Sequence, residues 1–288
     1  MYVDDFINVE KLTKNYGDVK ALKGIDMEIQ SGEIFGFLGP NGAGKTTMIR
    51  IMTTLTKPTS GCVKINGFDV AKYPEKVKKV IGVVQQHLSL DRDLTVQENM
   101  EFRARIHGLN ATERKKRINE LLEYTELAEY ANRMINTLSG GMQKRAAIAC
   151  SLLHKPSVLF LDEPTVGLDA QGRRRLWDLV RRLNLDGTTV FLTTHYIEEA
   201  EALCHRVGII HRGNLIALDT PFALRKKLGL VAVEMRVNTK THYKFFADRA
   251  SATRYVQSLS AEAGTVIIRD SNLEDVFVEQ TGEKVGDI

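Results

Sequence analysis

Cysteine is scarce in this chain: three in 288 residues, at Cys62, Cys150 and Cys204, with no CxxC spacing among them. So sparse and odd a set excludes a disulfide framework or a paired-cysteine zinc site, and fits reduced thiols packed as small hydrophobes. No run of the sequence approaches the roughly 18 to 20 apolar residues of a membrane helix. The opening MYVDDFINVEK is acidic where a secretory leader would be basic and then apolar. These absences lead to the expectation of a chain soluble on its own, any role at a membrane running through a partner. Net charge is only +4, too little to call for nucleic acid. The basic runs Glu113 to Arg117 and Arg173 to Arg175 fall on predicted helices without interleaved aromatics, so both read as solvated faces. No nucleic-acid partner is expected. Internal repeats and low-complexity tracts are missing too.

What is present is a regular alternation of strands and helices. Ile25, Met27 and Ile29 alternate, then Ile34, Phe35, Phe37 and Leu38 run straight into a glycine-rich loop. A helix is expected from Lys45 to about Leu55, a strand at Val63 to Ile65 ended by Asn66-Gly67, and another at Ile81 to Val84. Asp93 to His154 reads as helical: Thr95 and Glu98 form a capping box, and a second helix is expected over Thr112 to Tyr124. Strands return at Ser157 to Leu161 and Thr188 to Thr194, with an amphipathic helix between them. His211 to Asn214 reads as a hairpin turn. Beyond about Gly229 a small α+β appendix is expected, with Ser271 and Glu274 capping its last helix and a frayed tail GEKVGDI.

Three motifs carry chemistry. Gly39-Pro40-Asn41-Gly42-Ala43-Gly44-Lys45-Thr46, followed by Thr47, fits G-x-x-x-x-G-K-[ST] between a strand and a helix. Its amides can wrap phosphates, Lys45 can reach the β and γ oxygens, and the Thr46 hydroxyl can ligate Mg²⁺. Val158 to Glu163 is an apolar strand ending in two carboxylates, of which Asp162 suits the Mg²⁺ shell and Glu163 the general base toward water. His195 ends the strand Val190 to Thr194 at the same sheet edge, where it suits a γ-phosphate sensor. The third motif, Leu138 to Arg145 (LSGGMQKR), is a second helix start made for an anion: Ser139 caps it, and Gly140 and Gly141 admit close approach.

With these pieces in this order, the chain resembles the ATP-binding subunits of ABC transporters over roughly residues 6 to 228. GPNGAGKT is similar to their Walker A, LSGGMQKR to their signature, VLFLDEP to their Walker B and Gly167-Leu168-Asp169 to their D-loop. The resemblance implies an α/β fold: a P-loop NTPase core of the ABC type over 1–228, a helical insertion at about 93–154, and the small C-terminal α+β appendix over 229–288. It implies Gln86 in the Q-loop and Mg²⁺ shell, Tyr16 stacking on adenine, and Asp169 at a dimer interface. It also explains the second anion site. Two such subunits pair head to tail, so Ser139, Gly140, Gly141 and Gln143 would act in trans on a partner's ATP.

Two positions depart from the pattern: Gln85 stands where proline is frequent, so that either glutamine fits the Q-loop role with Gln86 the better aligned, and Val166 where serine is frequent; both leave the catalytic residues intact. The closing Asn272 to Phe277 is similar to the daunorubicin-resistance and nodulation-factor export type, whose multi-span membrane subunit is a separate ABC-2 polypeptide. That type implies a homodimer on the cytoplasmic face of the membrane. Two other classes share part of this pattern. A soluble ABC-type ATPase of DNA repair or translation would bring coiled-coil insertions or a second ATP-binding domain, and a P-loop kinase would leave LSGG and His195 unexplained.

Overall fold

The computed structural model describes residues 5–237, 240–259 and 265–283. The first elements are the long strands β1 (Asp5–Tyr16) and β2 (Val19–Gln30), then β3 (Ile34–Leu38), helix α1 (Lys45–Met52), and strands β4 (Ser60–Ile65) and β5 (Phe68–Asp69). Helix α2 (Pro74–Val80) and strand β6 (Ile81–Val84) follow. A helical stretch holds α3 (Val96–Ile106), α4 (Ala111–Tyr124) and α5 (Gly140–Ser151). The chain returns to the sheet through β7 (Val158–Asp162), α6 (Ala170–Leu185), β8 (Thr189–Thr194), α7 (Ile197–Leu203), β9 (Arg206–His211) and β10 (Asn214–Asp219). Helix α8 (Pro221–Leu228), strands β11 (Val231–Val237) and β12 (Lys240–Phe246), α9 (Arg249–Gln257), β13 (Thr265–Asp270) and α10 (Leu273–Thr281) complete it.

The strands form a six-stranded sheet of order β10-β9-β3-β8-β7-β6, a four-stranded sheet β2-β1-β4-β5 and a three-stranded sheet β12-β11-β13. In the largest, β6, β7, β8, β3 and β9 run parallel. Its central strands are buried on both faces, which is why they read as unbroken apolar runs. Alternation still sorts their side chains. Phe35, Phe37, Phe160 and Phe191 point to one face, their ring centroids 5.6 to 5.9 Å from Phe191, and meet Ile7, Val9 and Ile29 of the antiparallel sheet. Leu38, Leu159, Leu161, Val190 and Leu192 point to the other and meet the helical stretch through Met100, Leu121 and Ile148. All these parallel strands deliver their carboxyl ends to one edge, the position where open α/β sheets bind ligands.

The three-stranded sheet keeps a small core of its own, Val231, Val233 and Ala252 with Phe246 and Tyr255 against it. Helix α10 instead packs into the main core through Leu273, Val276 and Phe277. Its cap differs from expectation: Asn272, not Ser271, is the N-cap, with Asp275 completing the box, and the buried Ser271 amide is taken by the Leu230 carbonyl. The last five residues of the GEKVGDI tail lie outside the described residues. Cys150 and Cys204 are buried and Cys62 half-buried, all free thiols. Among the described residues no helix is long and apolar enough to cross a membrane.

Candidate functional site

The loop between β3 and α1 is held between two neighbours that leave no room for a side chain at Gly39 or Gly44. A Cβ on Gly39 would sit 2.3 Å from the Ile210 carbonyl, and one on Gly44, whose φ is +115°, 2.7 Å from that of Ala21. Gly44 is the N-cap of α1 and supplies no side-chain acceptor, so the first amides of the helix stay available for an anion. Lys45 is 4% exposed. Its Nζ donates to the carbonyls of Gly39 and Pro40 at 2.8 and 3.0 Å and lies 3.2 Å from Glu163 Oε1. Burial lowers its pKa, opposed by the carboxylates of Glu163 and Asp162.

Asp162 ends β7, and its Oδ1 accepts a 2.6 Å hydrogen bond from Thr193 on β8. Burial raises its pKa, with the Thr193 bond acting against it. Glu163 follows with φ +48°, a left-handed backbone that costs a non-glycine residue about 1 kcal/mol or more. The conformation is held by its amide, which donates to the carbonyl and the Oγ1 of Thr193 at 3.2 and 3.1 Å. This turn brings one carboxylate among three predicted residues. Lys45 and His195 Nδ1 approach Oε1 at 3.2 and 3.3 Å, and the Gln86 amide donates to Oε2 at 3.2 Å. The His195 approach is a close contact without hydrogen-bond geometry. Asn41, Gly42, Gly44, Lys45, Thr46, Thr47, Gln86 and Glu163 line one cleft of about 440 Å³.

A second cleft, of about 500 Å³, lies at the start of α5 and shares no residue with the first. Ser139 caps the helix, its Oγ accepting the Met142 amide at 3.4 Å, and Gly140, Gly141 and Met142 line the opening. Gln143, expected to face a partner, turns inward: its amide donates to the carbonyls of Ile135 and Leu138 at 3.1 and 3.0 Å. Asp169 lines the cleft and caps α6 by accepting the Gly172 amide at 2.6 Å.

Sequence reasoning missed several lining residues. The predicted hairpin turn at Arg212-Gly213 borders the first cleft with Lys20 and Lys23, and the Gly213 amide docks on the Ala43 carbonyl at 3.0 Å. No local signal marks that contact, which joins residues far apart in the chain. Arg175, taken as part of a solvated run, lines the second cleft with Arg145 and Tyr130. Tyr16, at the end of β1, is 45% exposed and lies outside the lining of the first cleft.

The donors fit a magnesium nucleotide. Thr46 and Gln86 offer neutral oxygens and Asp162 a carboxylate, all hard ligands. Among the described residues no group of three or more His, Cys, Asp or Glu is placed to hold a metal ion by itself. A Mg²⁺ that takes most of its ligands from phosphate and water needs no such cage.

The family model described as ABC transporter matches residues 22–166. The daunorubicin resistance ATP-binding protein DrrA3 of Streptomyces coeruleorubidus is 38% identical over 97% of this chain and 97% of its own. The chain belongs to the ABC transporter family. Nod factor export ATP-binding protein I of Burkholderia thailandensis is 37% identical to this ABC ATPase, over 98% of both chains. Among solved structures, a dimeric ATP-binding cassette in a post-hydrolysis state with ADP and phosphate superposes with a TM-score of 0.67 at 33% identity, over 74% of this chain and 98% of that one. This ABC ATPase therefore binds and hydrolyses ATP as the ATP-binding subunit of a transporter.

Proposed function

We propose that this ABC ATPase works as a Mg²⁺-dependent homodimer that powers export through a separate multi-span membrane subunit of the ABC-2 class, from the cytoplasmic face of the membrane. The observation that carries the reading is the pair of unlike clefts. One is lined by Lys45 and Glu163, with His195 against the Glu163 carboxylate, whereas the other offers helix-start amides and a serine hydroxyl, its carboxylates Glu126 and Asp169 being taken by Arg145 and the Gly172 amide. A head-to-tail pair makes each complete the other. Export and the membrane partner are supported by the names of the daunorubicin-resistance and Nod-factor relatives.

In this reading Gly39 to Thr47 hold the phosphates, Tyr16 stacks on adenine, and Thr46, Gln86 and Asp162 hold the metal. When bound, Mg²⁺ supplies charge neutralisation between the β and γ phosphates. Glu163 takes the proton of the attacking water, and His195 orients the γ-phosphate against it. Ser139 and the amides of Gly140 and Gly141 close over the partner's γ-phosphate, and Asp169 lies at the joint. Residues 1–228, with the insertion at 93–154, act as the motor, and 229–288 as an accessory unit. The membrane subunit docks in the groove beside Gln85, lined by Val83, Leu88 and Ile106, with exposed Phe102 nearby.

Tagged protein captured from gently solubilised native membranes tests this. A stoichiometric multi-span protein is expected with it. Recovery as a soluble particle carrying ribosomes or nucleic acid would overturn the transporter assembly.

A further inference from the structure

The glycine half of LSGGMQKR faces outward, but the polar half that follows does not. Three successive side chains each hold a different segment. Gln143 holds the loop before α5, and Arg145 donates to the Thr125 carbonyl at 3.0 Å and to Glu126 at 2.8 Å. Lys144 leaves the helical stretch altogether and donates to the Gln86 carbonyl at 3.1 Å.

Lys144 is only 6% exposed, and burying an ammonium for one neutral hydrogen bond is a poor way to stabilise a fold. Burial lowers its pKa, opposed by the charges of Asp162, Glu163 and Glu199. Those three carboxylates are themselves buried, and among the described residues the buried lysines are Lys45 and Lys144. One belongs to the P-loop. The other belongs to the helix that starts at the opposite cleft.

We propose that Lys144 is a positioning residue that ties the signature helix to the Gln86 segment, so that closure of that helix on a partner's nucleotide sets the geometry of the chain's own catalytic carboxylate. This rests on the reading that Ser139 to Gly141 act in trans. The path is short and continuous: helix α5, the Lys144 ammonium, the Gln86 backbone, the Gln86 amide, and Glu163 Oε2 at 3.2 Å. Lys144 lines neither cleft and acts only through Gln86.

The test is a double-mutant cycle on the full chain with Lys144→Met, which keeps length and helix propensity, and Gln86→Ala. Lys144→Met should lower kcat about tenfold with KM for ATP within about twofold, and Lys144→Arg should recover most of the rate. Gln86→Ala should be comparably slow, and the double variant no slower than the slower single one. Hydrogen exchange over residues 85–90 should quicken in Lys144→Met without nucleotide, with exchange in the main sheet unchanged. A parent-like kcat, multiplied losses in the double variant, or unchanged exchange at 85–90 would each overturn the proposal. If Lys144→Met loosens the whole fold, Lys144→Gln repeats both measurements with the same expectations. The dimer reading fails separately: a Glu163→Gln protein that stays monomeric with ATP would sink it and leave the Lys144–Gln86 cycle standing.

Discussion

Two helix starts in this molecule open onto clefts, and they are built on different principles. Helix α1 is fed by a fully buried parallel strand and begins at a left-handed glycine with no side-chain cap. Its lysine is sunk among carbonyls and carboxylates. Helix α5 is fed by a short 3₁₀ turn at Ile135–Thr137 and capped by its own Ser139, with Arg145 and Arg175 in the cleft and its carboxylates, Glu126 and Asp169, held by Arg145 and the Gly172 amide. In the function proposed above, the first site holds the triphosphate and the second covers a partner's phosphate, so that each chain supplies half of two sites and its enzymology should depend on assembly.

Substitutions can break this comparison in order of size. Glu163→Gln removes the base of the first site, and kcat should fall about a thousandfold while equilibrium ATP binding holds. Retained turnover would move the base elsewhere. Ser139→Arg places a bulky cation in the second opening: turnover should fall about a hundredfold, yet ATP binding by the isolated monomer should stay within about twofold. If that variant instead binds ATP poorly as a monomer, the two clefts are not independent. Lys45→Ala gives the reverse signature, weakening monomer binding about a hundredfold through loss of a charge-assisted phosphate contact of about 3 kcal/mol. Smallest is Ser139→Ala, which should cost about 1 kcal/mol of stability in a denaturant titration, as N-cap losses do. No change there would mean that the 3.4 Å cap bond to Met142 contributes nothing.

Much of this was readable from local chemistry. The glycine-lysine-threonine loop, the carboxylates closing an apolar strand, the Thr95–Glu98 box and the Asn66-Gly67 turn each depend on neighbours a few residues away, and each is found. Strand β1 was not foreseen, because a bulge with Lys11 at φ +44° breaks its alternation: Ile7 and Val9 are buried, then Leu12, not Lys11. Strand β12 hid in a polar run, KTHYKFF. The apolar spacing of Leu273, Val276 and Phe277 announced an amphipathic helix, but nothing local said that it packs into the main core and not against the small sheet. The inward turn of Gln143 and the reach of Lys144 to Gln86 likewise need the fold before they can be seen.

The measurement that bears most directly on the account is the solution mass of Glu163→Gln with saturating ATP and Mg²⁺, by light scattering, beside the same protein with Ser139→Arg added. The first should have twice the 32.3 kDa chain mass and the second should be a monomer, with ATP bound in both. A single-chain mass in the first, with ATP bound, would contradict the claim that the second cleft exists to complete the first.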